Sequence, residues 1–386
     1  MIEAAKAYLR DREEAALVLL EALVRENSFT DEPAGGARVG ERLAAELRGI
    51  EGVSSVRVRE SARYAPHLVA RTAAAESSAA GCVAIVGHLD TVFPPGTFEG
   101  FRREGPLAHG PGVLDMKGGL VVILEALRAL AHVQVLAEVP IRVVIVSDEE
   151  VGSPEGKHVI AEELAGASAA LVFEAGRAKD LVITSRKGTG SARVVATGKS
   201  AHAGNAHADG ANAIWALARF VERAQRLTEY GRGVTVNVGT IRGGTSKNTV
   251  PDRAECELDF RYERRADGEA LFAALVEAAK EAAIAGTTVT VTGGIGRPSL
   301  ERTAASVALY EAYAACARAA GLGAGEAPLV GGGSDAATTG ALGIPSIDGL
   351  GPRGSGFHTH EERIEVATLV PKAEALVRFL LGHAPG

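Results

Sequence analysis

The chain has 386 residues, too many for one ordinary hydrophobic core, so two domains are expected. Hydrophobic residues make up 46% and charged residues 23%, as suits a soluble protein. The 41 basic against 48 acidic side chains leave a net charge of -7, which argues against a generic nucleic-acid surface.

In chain order, MIEAAKAYLRDREEAALVLLEALVREN has the period of a charged amphipathic helix. With neither a basic start nor an unbroken apolar core, it is not expected to be a signal peptide. A loop of small residues, TAAAESSAAG, is expected over 72–81. Residues 82–87 read as a strand, 118–131 as a helix, 141–147 as a second strand and 169–173 as a third. Strands alternating with helices predict an α/β fold with a doubly wound, mostly parallel sheet, whose ligands gather at the carboxyl ends of its strands. The most apolar stretch, 119–146, is interrupted by Glu125, Arg128, His132, Glu138 and Arg142, so no membrane span is expected there.

The pattern changes after Lys187. Strands over 191–197, 234–241, 253–262 and 287–291 and helices over 209–227 and 267–283 follow in the order β-α-β-β-α-β, a ferredoxin-like arrangement able to fold by itself. From about Leu300 helical patterns return, the last over 366–381. The expected organisation is a first domain of residues 1–187 and 300–386, with residues 188–299 inserted as a second. Cys82, Cys256 and Cys316 are odd in number and far apart, which predicts buried thiols in a reducing, cytoplasmic setting.

Three motifs fall just past the ends of the first-domain strands: His88 and Asp90 in GHLDTV, Glu149 and Glu150 in VSDEEVGS, and Glu174 in VFEAG. In an extended segment His88 and Asp90 point the same way, so Asp90 can accept a hydrogen bond from the imidazole nitrogen that does not bind metal. The same spacing also suits an ordinary surface pair. Asp115 lies in the glycine-rich GPGVLDMKGG, where it can bridge two cations or cap a helix beginning near Met116. Glu149 and Glu150 are adjacent and aim differently, one suited to a metal and the other to its water. In FHTHEE, His358 and His360 compete on equal terms for a ligand position. Any one of these residues has an ordinary structural explanation. Two histidines and three carboxylates, most at strand ends, together predict a site for two metal ions with a carboxylate base beside it.

The motifs HLDTV, GPGVLDMKGG, SDEEVGS, FEAG, GKSAHAG, GGTSKNTVP, DFRYER, GRP, GGGSDAA and FHTHEE occur in an order that resembles the M20 metallopeptidases, specifically their glutamate carboxypeptidase-like branch. The resemblance implies two zinc ions per chain, replaceable by cobalt or manganese, with Asp115 bridging, His88 and Glu174 completing one site and Glu150 and His358 the other. His358 is preferred over His360 because HTHEER is similar to the family's terminal H-x-x-(D/E)-E pattern. It further implies that Glu149 is the general acid/base, that Asp90 orients His88, and that a zinc-bridging hydroxide attacks the amide bond to a C-terminal amino acid. The inserted domain is implied to be a lid that forms a homodimer. From it His202 would stabilise the oxyanion in the partner's site, and Asn248, Arg261 and Arg297 would hold the substrate carboxylate, a task suited to the planar arginine fork. Without the resemblance, His202 reads as structural and Arg261 as a surface strand residue. Glutamate selectivity needs a further cationic group, for which 180–188 offers Arg186 and Lys187. An N-acyl-amino-acid deacylase or a dipeptidase would share the same metals and base. A non-catalytic metal-binding protein would lack one of these groups, and all are present.

Overall fold

A computed structural model describes residues 1–77 and 79–383; Ser78, inside the loop expected over 72–81, lies outside the described residues. The chain divides into two compact units, one of Met1–Ser185, Arg302–Val330 and Ser334–Gly386, the other of Arg186–Glu301 with Gly331–Gly333.

The first unit opens with helices α1 (Ile2–Asp11), α2 (Glu13–Arg25) and α3 (Pro33–Arg48). The single N-terminal helix expected from sequence is broken at Arg12, whose backbone leaves helical geometry and whose guanidinium pairs with the buried Glu125 at 2.7 Å. Strands β1 (Val53–Arg59), β2 (His67–Thr72) and β3 (Val83–His88) follow, then the short β4 (Arg102–Glu104) and β5 (Leu107–His109), α4 (Gly118–His132), β6 (Ile141–Val146), α5 (Gly156–Leu164) and β7 (Ala169–Val172). The second unit contributes β8 (Gly188–Thr197), β9 (Ala201–His202), α6 (Ala213–Gln225), β10 (Thr235–Gly243), β11 (Thr249–Val250), β12 (Arg253–Tyr262), α7 (Arg265–Ala282) and β13 (Thr288–Ile295). The chain then returns through α8 (Ala304–Ala319), α9 (Asp335–Ala341), β14 (Ser346–Ile347), β15 (Gly354–Ser355), β16 (Arg363–Glu365) and α10 (Leu369–Leu381).

The main sheet has six strands in the order β1-β2-β6-β3-β7-β14. β6, β3, β7 and β14 are parallel, while β1 and β2 add an antiparallel edge. β3 and β6 are buried along their whole length, as strands covered on both faces must be, which explains why their sequences are apolar apart from Arg142 and the terminal His88. The path from β3 through α4 to β6 moves one way across the sheet, and the path from β6 through α5 to β7 moves back. Since such crossovers are right-handed, α4 and α5 lie on opposite faces. The sheet is therefore doubly wound, and the reversal occurs at β3.

In the second unit, four antiparallel strands are ordered β10-β12-β8-β13, with α6 and α7 in the connections. Numbered within the unit that order is 2-3-1-4, consistent with the ferredoxin-like arrangement. Its core, which includes Val194, Phe220, Phe260, Tyr262 and Leu275, is distinct from that of the first unit. No helix among the described residues is long and apolar enough to cross a membrane.

Candidate active site

Three neighbouring strands deliver most of the site. β6, β3 and β7 run parallel, so their carboxyl ends share one rim. His88 is the last residue of β3, Glu149 and Glu150 form a turn shortly after β6, and Glu174 lies two residues past the end of β7.

Asp115 arrives by another route. Gly112 enters the left-handed region at φ 71°, and Asp115 is extended, with φ -118° and ψ 92°, inside the irregular turn Val113–Lys117. It does not cap a helix near Met116, since α4 begins at Gly118 and the Asp115 carboxylate faces two imidazoles instead. The start of α4 lies tight against the end of β7: a Cβ on Gly119 would come within 2.2 Å of the Phe173 carbonyl oxygen. Glycine there lets the Asp115 turn approach Glu174.

The five residues converge. Asp115 Oδ1 lies 3.3 Å from His88 Nε2, and Oδ2 lies 3.3 Å from His358 Nε2. Glu174 Oε2 is 3.6 Å from His88 Nε2, and Glu150 Oε2 is 3.1 Å from His358 Nε2. Among the described residues, two groups present candidate metal-binding atoms within 4.8 Å of one another: His88, Glu149 and Glu174, and His88, Asp115 and Glu150. His358 takes a left-handed φ of 61° to face the cluster. Its competitor His360 stacks on Phe98 with ring centroids 5.3 Å apart.

Asp90 is the hub behind these side chains. His88 Nδ1 donates to the Asp90 carbonyl oxygen at 3.0 Å and lies 3.3 Å from carboxylate Oδ1, which leaves the Nε2 lone pair aimed at Asp115 and Glu174. The Asp90 carboxylate also accepts from Glu149 N at 3.2 Å, Glu150 N at 3.1 Å and the Thr30 hydroxyl at 2.8 Å. One buried carboxylate thus orients an imidazole and holds the backbone of the Glu149–Glu150 turn.

The electrostatics follow from crowding. Burial pushes Glu150 up to about 7 and Glu174 up to about 8, because each is a carboxylate removed from water beside others of its kind. His358 is raised to about 10 by its hydrogen bonds to Asp115 and Glu150. Burial opposes ionisation of Asp115, yet His358 and His88 hold it well below the usual carboxylate range. Four acidic side chains face two imidazoles, so full ionisation of the carboxylates would leave excess negative charge in a largely buried site, which a cation would neutralise.

Three contributors were not legible from the motifs: Thr30, Met116, whose sulfur accepts from His88 N at 3.2 Å, and Glu362. Glu362 is wholly buried, and burial pushes it up to about 7. The only signal for it was the second acidic residue of HTHEE.

His202, expected at the oxyanion, and the three residues expected to hold the substrate carboxylate belong to the second unit and fall into two pairs. Thr249 pairs with His202, and the Asn248 carbonyl accepts from Ala203 N at 2.9 Å. The side chain of Asn248 accepts from the Ser246 hydroxyl. Arg261 is opposite Thr189, whose N donates to the Arg297 carbonyl at 2.9 Å. The first pair follows the Thr197 end of β8, where Thr197 faces Arg253, and the second lies at its Thr189 end. Eight residues at a rise of about 3.3 Å separate those strand positions by roughly 26 Å. The Arg261 fork is already engaged by Asp259, with Nε and Nη2 donating at 2.8 and 3.0 Å.

A parallel-sheet rim that gathers two histidines and four carboxylates defines a candidate metal-dependent hydrolase. Comparison with known proteins agrees: residues 84–382 match the model of peptidase family M20/M25/M40. The chain is 30% identical over 381 residues to carboxypeptidase G2 of Pseudomonas sp. strain RS-16, covering 97% of this chain and 91% of that protein. It is similar in fold to the aminopeptidase PepT from Bacillus cereus ATCC 10987, with TM-score 0.78, 23% identity and coverage of 97% and 99% of the two chains. It also resembles the YXEP protein of Bacillus subtilis, a dinuclear metal binding peptidase from the M20 family, with TM-score 0.69, 15% identity and coverage of 96% and 98%. The chain belongs to peptidase family M20/M25/M40 and is a hydrolase of peptide or amide bonds.

Proposed function

We propose that the chain is a two-metal carboxypeptidase that cleaves the amide bond to a C-terminal amino acid, with glutamate the first candidate. The observation that carries this reading is the Asp115 carboxylate, each oxygen 3.3 Å from a different imidazole. The donor set suits zinc, and cobalt or manganese in its place. We assign Asp115, His88 and Glu174 to one ion and Asp115, Glu150 and His358 to the other. When bound, two such cations supply Lewis acidity at the scissile carbonyl and lower the pKa of water to about 7.

Glu149 is the proposed base. It neighbours Glu150 in sequence, is buried, reaches the same cluster as His88 and Glu174, and is held by its backbone to Asp90. It accepts the proton of the attacking water and delivers it to the leaving amine. Asp90 keeps the His88 proton on Nδ1. His202 is the proposed oxyanion donor: its Nδ1 accepts from Gly204 N at 3.1 Å and Asn205 N at 3.0 Å, which puts the proton on Nε2. Such donors are worth about 2.7–4 kcal/mol. Asn248, Arg261 and Arg297 are proposed to hold the substrate carboxylate, with Arg261 sharing its fork between substrate and Asp259.

We infer that residues 1–187 and 300–386 act as the catalytic domain and 188–299 as a lid that pairs two chains. The separation of His202 and Asn248 from Arg261 and Arg297 supports pairing, because two chains can offer one pair each. The second unit also exposes Ile214, Trp215 and Ile241, which a partner would cover. A cytoplasmic location accords with three cysteines that are all free thiols.

The test is hydrolysis of pteroyl- and benzoyl-glutamate, acetyl-amino acids and simple dipeptides by metal-loaded wild type and Glu149→Ala, with metal quantified. Glutamyl amides cleaved by wild type, and a variant that keeps about two metals per chain but no turnover, is the expected result. Preference for acetyl-amino acids would make the chain a deacylase, and no turnover on any member despite full loading would remove the carboxypeptidase reading.

A further inference from the structure

The segment after His358 carries a carboxylate that the reaction above does not use. Glu362 is wholly buried, and its two oxygens take three backbone N–H groups of the turn that presents Asp115. Gly112 N donates to Oε2 at 3.0 Å, and Leu114 N and Asp115 N donate to Oε1, each at 2.9 Å. These N–H groups lie ahead of α4 in an irregular turn, and buried without an acceptor each would cost a hydrogen bond's desolvation. The Glu362 carbonyl also accepts from Gly110 N at 3.3 Å.

On its other side Glu362 belongs to the His358 loop. β16 begins at the next residue, Arg363, and pairs with His109 of β5, so the chain from His358 to Glu362 is anchored where it meets the Asp115 turn. The loop is tightly folded. Gly356 has φ 81°, and a Cβ there would come within 2.5 Å of the Glu361 carbonyl oxygen. Glu362 is therefore where two segments distant in sequence, one presenting Asp115 and the other His358, are joined by side chain and backbone together.

We propose that Glu362 is a positioning residue for the metal centre, a clasp that sets Asp115 and His358 relative to each other. The proposal rests on the assignment of those two residues as ligands. His88 and Glu174 hang on central strands and do not depend on the clasp. Loosening Glu362 therefore weakens the ion of Asp115, Glu150 and His358, two of whose ligands it sets, more than the ion of Asp115, His88 and Glu174, of whose ligands it sets only Asp115. A carboxylate of merely structural value would lower the stability of the metal-free fold and leave that order of affinities untouched.

The experiment uses the full chain as wild type, Glu362→Gln, Glu362→Asp and Glu361→Gln, the last an exposed neighbour as control. Each is stripped of metal, checked for fold by far-UV circular dichroism and for stability by urea unfolding, then titrated with zinc against a chromophoric chelator. Glutamine keeps the shape of Glu362 but turns an amino group toward N–H donors, and aspartate keeps the charge but falls short by one methylene. The expected result is two zinc ions in wild type and Glu361→Gln, and in both Glu362 variants one ion weakened about 10–100-fold, the usual effect of losing a group that supports a ligand. Both ions bound at wild-type affinity by a folded variant, or an equal loss at both sites, would overturn the proposal. So would failure of both Glu362 variants to fold where wild type folds. A wild type that takes up no zinc would instead remove the ligand assignment beneath it.

Discussion

Replacing Asp90 by asparagine tests the central claim that one buried carboxylate organises the site before any metal arrives. Asp90 is 1% exposed, and its oxygens accept from two backbone amides and one hydroxyl, with His88 Nδ1 alongside. Asparagine has the same shape but only one acceptor oxygen. Its cheapest pose puts the amide NH2 at the Oδ2 position, where the Thr30 hydroxyl can turn to the Thr91 carbonyl it already approaches at 3.4 Å. Glu150 N–H then faces a donor and is left unsatisfied, at a cost of about 1–3 kcal/mol. The bonds that remain lose their charge assistance, roughly another 1 kcal/mol. The metal-free variant is thus expected to lose about 2–4 kcal/mol. It is to be measured by urea unfolding of chelator-treated protein at pH 7, with Thr30→Val, worth about 1 kcal/mol, as a graded control. Zinc affinity is expected to fall about 10–100-fold as His88 loses its orientation. The competing effect is relief of repulsion, because Asp90 shares this rim with four other acidic groups. A metal-free Asp90→Asn as stable as wild type, or more so, would mean that repulsion outweighs the hydrogen bonds and that Asp90 does not organise the site.

Glu149→Gln is expected to lower kcat by about 10²–10⁴-fold while zinc stoichiometry stays near two, checked by steady-state kinetics beside metal analysis. Zinc returned to stripped protein at 100 times its Kd is expected to stabilise folding by about 2.7 kcal/mol, read as a shift in the urea midpoint. Gly119→Ala forces a methyl toward the Phe173 carbonyl oxygen at 2.2 Å, so a loss of about 1–3 kcal/mol is expected in the same assay. Lys372 is buried beside Asp180, and burial pushes its amine down to about 8 from 10.5. Below pH 8 both folded and unfolded chains carry its proton, and between about 8 and 10.5 the unfolded chain holds more. Stability relative to Lys372→Met is therefore expected to rise across that window, by at most about 3–4 kcal/mol, and a flat difference would contradict the burial argument.

How far the fold could be read depended on which faces a segment buries. The runs at 82–87 and 141–147 stood out because β3 and β6 are covered on both sides and admit almost nothing polar. β1 escaped notice because it is an edge strand that is nowhere fully buried, written SSVRVR in part, with Arg57 and Arg59 reaching Glu163. The break at Arg12 was hidden for a different reason. There Arg12 pairs with a residue more than a hundred positions away, Glu125 on α4, and no local periodicity carries that information.

The site was legible to the extent that the sheet supplies it. Strand ends announce His88, Glu149, Glu150 and Glu174, since a parallel sheet sends its carboxyl ends to one rim whatever its loops contain. Asp115 and His358 come from loops, and for them local reasoning left a cap and a rival histidine in contention. Those contests are decided by backbone geometry that propensities do not encode: an extended Asp115 behind a left-handed Gly112, and a non-glycine residue at φ 61°. Both unusual conformations meet at Glu362, whose carboxylate satisfies the N–H groups that such a turn leaves open. A backbone bent this far from regular structure needs its polar groups answered from elsewhere in the chain. That is why the loop-borne pair of ligands is set through one buried acid, Glu362, that answers backbone N–H groups, while on the strand side another, Asp90, orients the His88 ring.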